Sequence, residues 1–190
     1  MNVIFLDFDG VLDTIHYMEK EDVERRVKIL ADICHEYNCK VVIEAACKIA
    51  IDEETLEIND SKWVNFVFSL FKKYNIECIG RTPDVKRKVW NDSYLPMWKE
   101  DEIRLYLFRH PEIEHYCVID DDDLADLHQK SDLDKVRDHL VKTIFYSKIK
   151  KEEEGLLESH KEEVRKVLIK ENEIRKFALK KLRNNIKESL

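Results

Sequence analysis

Apolar and polar residues follow two different periods along this chain. Residues 3–6 (Val-Ile-Phe-Leu) form an unbroken apolar run ending on Asp7, the pattern of a strand buried on both faces. Over 21–34 the period becomes helical, with Val23, Val27, Leu30 and Cys34 on one stripe. Val41-Val42-Ile43 predicts a second, β-branched strand. Trp63, Phe66, Val67, Leu70, Phe71 and Tyr74 recur at helical spacing and predict a strongly amphipathic helix. A third strand is expected over 76–79, stopped by Gly80 and Pro83, and a helix over 103–108, ended by Pro111. Tyr116-Cys117-Val118-Ile119 predicts a fourth strand running into Asp120, and 143–146 is the candidate for a fifth. Strands alternating with helices predict an α/β fold whose parallel sheet is covered on both faces. In such sheets chemistry gathers at the carboxyl ends of the strands, where two of the better strands run into acidic residues.

The pattern changes near residue 159. Ser159 and Glu162 fit a capping box, and Val164, Val167, Leu168, Ile174, Ala178, Leu182 and Ile186 share one stripe of a long C-terminal amphipathic helix. Basic residues outnumber acidic ones over 170–187, which reads as a solvated charged helix packed on the domain or on a second copy. The expected organisation is therefore a core over 1–150 and a helical extension over 151–190, with 148–154 as a hinge and the extension as a possible homodimer surface.

Composition narrows the function. Basic residues number 33 against 40 acidic ones, and the net charge of −7 does not support a generally cationic nucleic-acid binder. No stretch approaches the length of a membrane span, and the opening residues show no signal-peptide pattern. Five cysteines without a CxxC pair read as reduced thiols of a cytoplasmic protein. The seven histidines form no metal-ligand spacing and are expected mainly at the surface or in loops. The three glycines, Gly10, Gly80 and Gly155, lie too far apart for a dinucleotide-binding or P-loop motif.

The sharpest chemical signal is Phe5-Leu6-Asp7-Phe8-Asp9-Gly10-Val11. Residues two apart at a strand end point to the same side, so Asp7 and Asp9 can face one small site. Gly10 permits a sharp turn and close approach to the backbone. Two neighbouring carboxylates repel, and a hard divalent cation such as Mg²⁺ relieves them. This segment resembles motif I of the haloacid dehalogenase-like (HAD) superfamily. The resemblance implies a Rossmann-like three-layer α/β/α fold and an Mg²⁺-dependent phosphohydrolase. It would make Asp7 the nucleophile that forms an aspartyl-phosphate, and Asp9 the general acid/base whose carbonyl also touches the metal. Tyr116-Cys117-Val118-Ile119-Asp120-Asp121 is similar to the motif that completes the metal site, implying Asp120 and Asp121 as ligands beside Asp7 and Asp9.

Two further motifs match less closely. A hydroxyl that holds a phosphate oxygen belongs after the second strand, where a branch associated with nucleic-acid repair proteins often shows a Ser-Ser-Ser-Trp-Arg-like run. This chain has Glu44-Ala45-Ala46-Cys47-Lys48, with Glu44 or Ala45 in the hydroxyl's place. Backbone N–H groups at Ala45 and Ala46 remain candidate phosphate donors, and Lys48 matches the basic end of the run. Lys99, in Lys99-Glu100-Asp101-Glu102-Ile103, is the candidate for the cation that neutralises both Asp7 and the phosphate. Little room exists for a cap, so an open site for a phosphorylated substrate of unknown class is expected. The altered second motif keeps a second reading open, a catalytically impaired binding protein that retains the metal site.

Overall fold

The computed structural model describes residues 1–84, 86–88, 94–96, 99–124 and 136–169. Strands β1 (Asn2–Leu6), β2 (Cys39–Ile43), β3 (Cys78–Arg81), β6 (His115–Asp120) and β7 (Leu140–Lys142) form one parallel sheet in the order β3-β2-β1-β6-β7. Helices α1 (Lys20–Tyr37), α2 (Lys62–Lys73) and α3 (Lys99–Arg109) cross between strands, and a fourth helix, α4, covers 160–169. A separate antiparallel pair, β4 (Lys86–Lys88) and β5 (Tyr94–Pro96), lies between β3 and α3 in sequence.

Alternation along the central strands builds the layers. Ile4, Leu6, Val41, Ile43, Cys117 and Ile119 pack with residues of α1 and α2 on one face. Val3, Phe5, Val42, Tyr116 and Val118 pack with Ile103 and Tyr106 of α3 on the other. Period-2 side chains therefore serve two cores from one strand, which is why the strands read as unbroken apolar runs. The helix ends follow local chemistry. The Ser61 hydroxyl caps α2 by accepting from the Val64 N–H at 3.3 Å. Asn38, at φ 51°, ends α1 in a left-handed turn that returns its N–H to the Cys34 carbonyl.

Three expectations need correction. Gly80 does not end β3, for it pairs with Val42 and the ladder continues until Pro83 offers no N–H. The fifth strand lies at Leu140–Lys142, ahead of the apolar run at 143–146. There the Ile144 and Phe145 carbonyls accept from Gly155 and Ile15 instead of a neighbouring strand. His115, His139 and His160 are buried, because Tyr116 stacks on His139 and the apolar layers reach the ends of β6 and α4.

The segment read as a hinge is clasped. Glu154 is buried, and its carboxylate accepts from the Ser147 N–H at 2.7 Å and pairs with His16 Nδ1 at 2.6 Å. Beyond it Leu156, Val164 and Leu168 join the same apolar cluster as β1 and α1. The stripe expected from Ile174 to Ile186 lies outside the described residues. Among those described, no helix is long and apolar enough to cross a membrane.

Candidate active site

The site is assembled by strand register. Leu6 pairs with Ile43 on one side and Ile119 on the other, and Ile43 pairs with Arg81. One step further, Thr82, Glu44, Asp7 and Asp120 therefore stand in a row at the carboxyl edge. Backbone bonds hold the row, from Thr82 N–H to the Ile43 carbonyl, Glu44 N–H to Leu6 and Asp7 N–H to Ile119 at 2.8–3.0 Å. Period 2 places these side chains on the face covered by α3. The first turn of α3 supplies their partners.

Lys99 Nζ lies 2.6 Å from Asp7 Oδ2, 2.9 Å from Asp120 Oδ2 and 3.5 Å from Asp122 Oδ2. Asp7 Oδ1 accepts from the Phe8 N–H at 2.7 Å, which fixes the carboxylate plane. Oxygens of Asp7, Asp120 and Asp121 come within 4.8 Å of one another. Gly10 makes this convergence possible. It sits at φ +76°, its N–H bonds the Asp13 carbonyl, and its carbonyl accepts from the Thr143 hydroxyl at 2.7 Å. A Cβ here would lie 2.5 Å from Asp121 Cγ, so the missing side chain is the space Asp121 occupies.

Electrostatics register the crowding. Burial, reinforced by Asp120 and opposed by Lys99, pushes the Asp7 carboxyl up to about 7. Burial also raises Asp120 and Asp121, the latter helped by its acidic neighbours. Burial works against the Lys99 ammonium, but Asp7 and Asp120 outweigh it and hold Lys99 above its ordinary range. One ammonium thus faces three carboxylates, an excess of negative charge in an all-oxygen donor set. That donor set fits a hard divalent cation, with Asp7, Asp120 and Asp121 as the residues able to hold it.

A cavity of about 520 Å³ opens over the row, lined by Asp7, Asp9, Glu44, Ala45, Ala46, Lys48, Ile49, Asp84, Lys99, Glu102, Asp121, Asp122 and Phe145. The candidates from sequence meet here, with differences among them. Asp9 is exposed at the mouth, and its carboxylate stands outside the Asp7–Asp120–Asp121 group. Ala45 is buried and precedes the short 3-10 turn Ala46–Ala50. Lys48 reaches the cavity with its ammonium already engaged, 3.2 Å from Glu44 Oε2, 2.8 Å from Thr82 Oγ1 and in contact with Glu102. The Cys47 thiol, pushed up to about 12 by burial and then by Asp9 and Asp7, is protonated at neutral pH and no nucleophile.

Sequence reasoning gave no role to Glu102, Thr82 or Thr143. Glu102 stands one helical turn after Lys99, in the same segment that pointed to Lys99. Thr82 and Thr143 follow strands whose ends were set differently by pattern alone. No curated protein and no solved structure matches the chain at a significant level. One family, described as the HAD domain in Swiss Army Knife RNA repair proteins, matches residues 3–154, and it is in general of hydrolase and phosphatase type and usually uses Mg²⁺. A match over well more than half of the chain, on the α/β fold and strand-end acidic site described above, means that this chain belongs to that family of HAD domains.

Proposed function

We propose that this chain is an Mg²⁺-dependent phosphohydrolase working through an aspartyl-phosphate on Asp7. The observation that carries the reading is the Lys99 ammonium held between Asp7 and Asp120 beside Asp121. Asp7, Asp120 and Asp121, with the Asp9 carbonyl, would hold Mg²⁺, which supplies charge neutralisation to phosphoryl oxygens. The Asp7 carboxylate attacks phosphorus in line, and the bond to the leaving oxygen breaks. Asp9, exposed at the mouth, gives that oxygen a proton. Asp9 then takes a proton from water as the water attacks phosphorus, the bond to Asp7 breaks, and phosphate leaves. Lys99 holds Asp7 in place and offsets charge gathering on the phosphoryl group. Ala45 and Ala46 offer backbone donors at the cavity wall, and Lys48 adds positive charge behind Glu44.

For the substrate we propose a phosphorylated nucleic-acid end, a reading suggested by the family's description from RNA repair proteins. Glu44 in the hydroxyl's place favours the second reading, a binding protein with impaired chemistry. A panel of phosphomonoesters, including 5′- and 3′-phosphorylated oligonucleotides, separates the two when run with and without Mg²⁺. Mg²⁺-dependent release of phosphate by the parent, abolished in a folded Asp7→Asn variant, is the expected result. Turnover retained by Asp7→Asn moves the nucleophile elsewhere, and an inert, Mg²⁺-binding parent leaves the binding reading.

A further inference from the structure

The proposed reaction uses the charged row of the cavity and leaves its apolar lining without a role. A volume of about 520 Å³ is that of a pocket enclosing a whole small ligand, and a phosphoryl group on Asp7 fills only part of it. Beside the charged residues the cavity is lined by two large apolar side chains, Ile49 and Phe145. Ile49 is 71% exposed and Phe145 39%, whereas Ile51 and Thr143, two residues from each, are buried.

The two come from opposite flanks of the site. Ile49 follows β2 and Phe145 follows β7, and in the sheet Asp7 of β1 and Asp120 of β6 stand between those strands. Both positions are fixed by the backbone. Ile49 sits in the 3-10 turn Ala46–Ala50, closed by the Ile51 N–H on the Lys48 carbonyl at 2.9 Å. Around Phe145, each residue from 143 to 147 is tied to another part of the chain. The Thr143 hydroxyl donates to the Gly10 carbonyl at 2.7 Å, and the Ile144 and Phe145 carbonyls accept from Gly155 at 2.8 Å and Ile15 at 3.3 Å. The Tyr146 ring stacks on His16 with centroids 5.4 Å apart, and the Ser147 N–H donates to Glu154 at 2.7 Å. A side chain on so fixed a backbone is placed before a ligand arrives, which lowers the entropy cost of binding.

An ester whose phosphate is on Asp7 extends its leaving group into the space that these two side chains border. Asp9, Asp84 and Asp122 line the same space, so a second anionic group is repelled and a neutral ring is not. A flat ring also gains most from Phe145, through stacking and through the apolar area removed from water. In a phosphorylated nucleic-acid end that ring is a base, one sugar away from phosphorus. We propose that Phe145, with Ile49 on the opposite flank, forms the leaving-group subsite of the Asp7 centre and takes the base of the terminal nucleotide. The inference rests on the phosphohydrolase reading for the phosphate's place and adds specificity residues which that reading lacks.

Two pairs of esters isolate the base. One is adenosine 5′-monophosphate against ribose 5-phosphate, and the other is a 3′-phosphorylated dinucleotide against the same compound with an abasic terminal residue. Steady-state kinetics of the full-length chain with Mg²⁺ are expected to show, in one pair or both, kcat/KM about tenfold or more higher for the base-bearing ester. Phe145→Ala should bring that ratio within about threefold of unity by raising KM for the base-bearing ester, with kcat and the base-less ester within about twofold of the parent. Phe145→Trp should restore the preference, because it keeps a stacking face. Ile49→Ala should lower the ratio by about threefold, and it decides the question should Phe145→Ala fail to fold. Calorimetric titration of the same esters gives a readout independent of turnover. Equal kcat/KM within each pair, a ratio unchanged in the folded variants, or a phosphotyrosine peptide hydrolysed ahead of every nucleotide overturns the inference and leaves the phosphohydrolase reading standing. An inert parent whose affinity depends on the base, and loses that dependence in Phe145→Ala, overturns the phosphohydrolase reading and keeps the subsite. An inert parent with no base-dependent affinity overturns both.

Discussion

Gly10→Ala tests the assembly of the carboxylate cluster with one methyl group. Gly10 is held at φ +76° by bonds at both its N–H and its carbonyl, so the backbone has little freedom to give way. Forcing alanine into the left-handed region costs about 1–2 kcal/mol. The added Cβ would meet Asp121 at Cγ, Oδ1 and Cβ, at 2.5, 2.6 and 2.7 Å. Restoring an ordinary contact displaces that carboxylate by about 1 Å. A total near 2 kcal/mol lowers the Tm of a domain this size by about 4–8 °C. Mispositioning one of three candidate ligands should weaken Mg²⁺ binding by about tenfold or more. Gly155→Ala is the control, since Gly155 sits at φ +73° with a Cβ position 2.8 Å from Arg26 Cζ, away from the acidic group. It should lose comparable thermal stability with unchanged Mg²⁺ affinity. Scanning calorimetry and Mg²⁺ titration read both effects. A Gly10→Ala protein that binds Mg²⁺ like the parent, or a Gly155→Ala protein that loses affinity equally, would refute the reasoning.

Lys99→Met keeps the aliphatic stem and removes the ammonium between Asp7 and Asp120, so phosphatase turnover should fall about 10²–10³-fold while Mg²⁺ affinity holds or rises. Turnover within about tenfold of the parent would show that another cation serves. Glu154 is held down at about 2: burial alone would raise it, but hydrogen bonds from the Ser147 N–H and from His16 outweigh burial. A depressed carboxyl stabilises the fold above its unfolded pKa near 4.5, and that contribution disappears as pH falls through about 2. In urea unfolding, Glu154→Gln should therefore be less stable than the parent by about 1.5–3 kcal/mol at neutral pH. The gap should close between about pH 5 and about pH 2, and a gap independent of pH would contradict the assignment.

Much of this fold was legible because the central strands are buried on both faces. The runs 3–6, 41–43 and 116–119 each fall inside the strand that forms, the stripe of α1 falls inside its helix, and that of α2 does so up to Tyr74, which is its C-cap. The sheet's edges were harder. β7 is three residues long and its register is set by pairing with Val118–Asp120, so the more apolar run at 143–146 misled. At the site, Asp7, Asp120 and Asp121 were legible because each sits at or just beyond the end of an apolar strand. The company that Lys48 keeps was not. Its partners Glu44, Thr82 and Glu102 come from three separate elements, and only the β2–β3 register and the docking of α3 bring them to one ammonium.

The charge on the cavity wall also dictates the order in which ligands enter. Among the described residues, Asp7, Asp9, Glu44, Asp84, Glu102, Asp121 and Asp122 face the space with Lys48 and Lys99. Two like charges about 4 Å apart repel by about 4 kcal/mol where the effective dielectric is about 20. A dianion approaching the bare wall meets several such repulsions at once, more than one lysine at 2.6 Å from Asp7 offsets. A divalent cation among Asp7, Asp120 and Asp121 reverses that local balance. Anion binding should therefore require the metal. Sulfate added to chelator-treated protein is expected to give no measurable heat at concentrations that saturate the Mg²⁺-loaded chain. Mg²⁺ affinity should rise in turn when sulfate is present, because linkage is reciprocal. Equal sulfate affinity with and without Mg²⁺ would place the anion away from the strand ends, among residues other than Asp7 and Lys99.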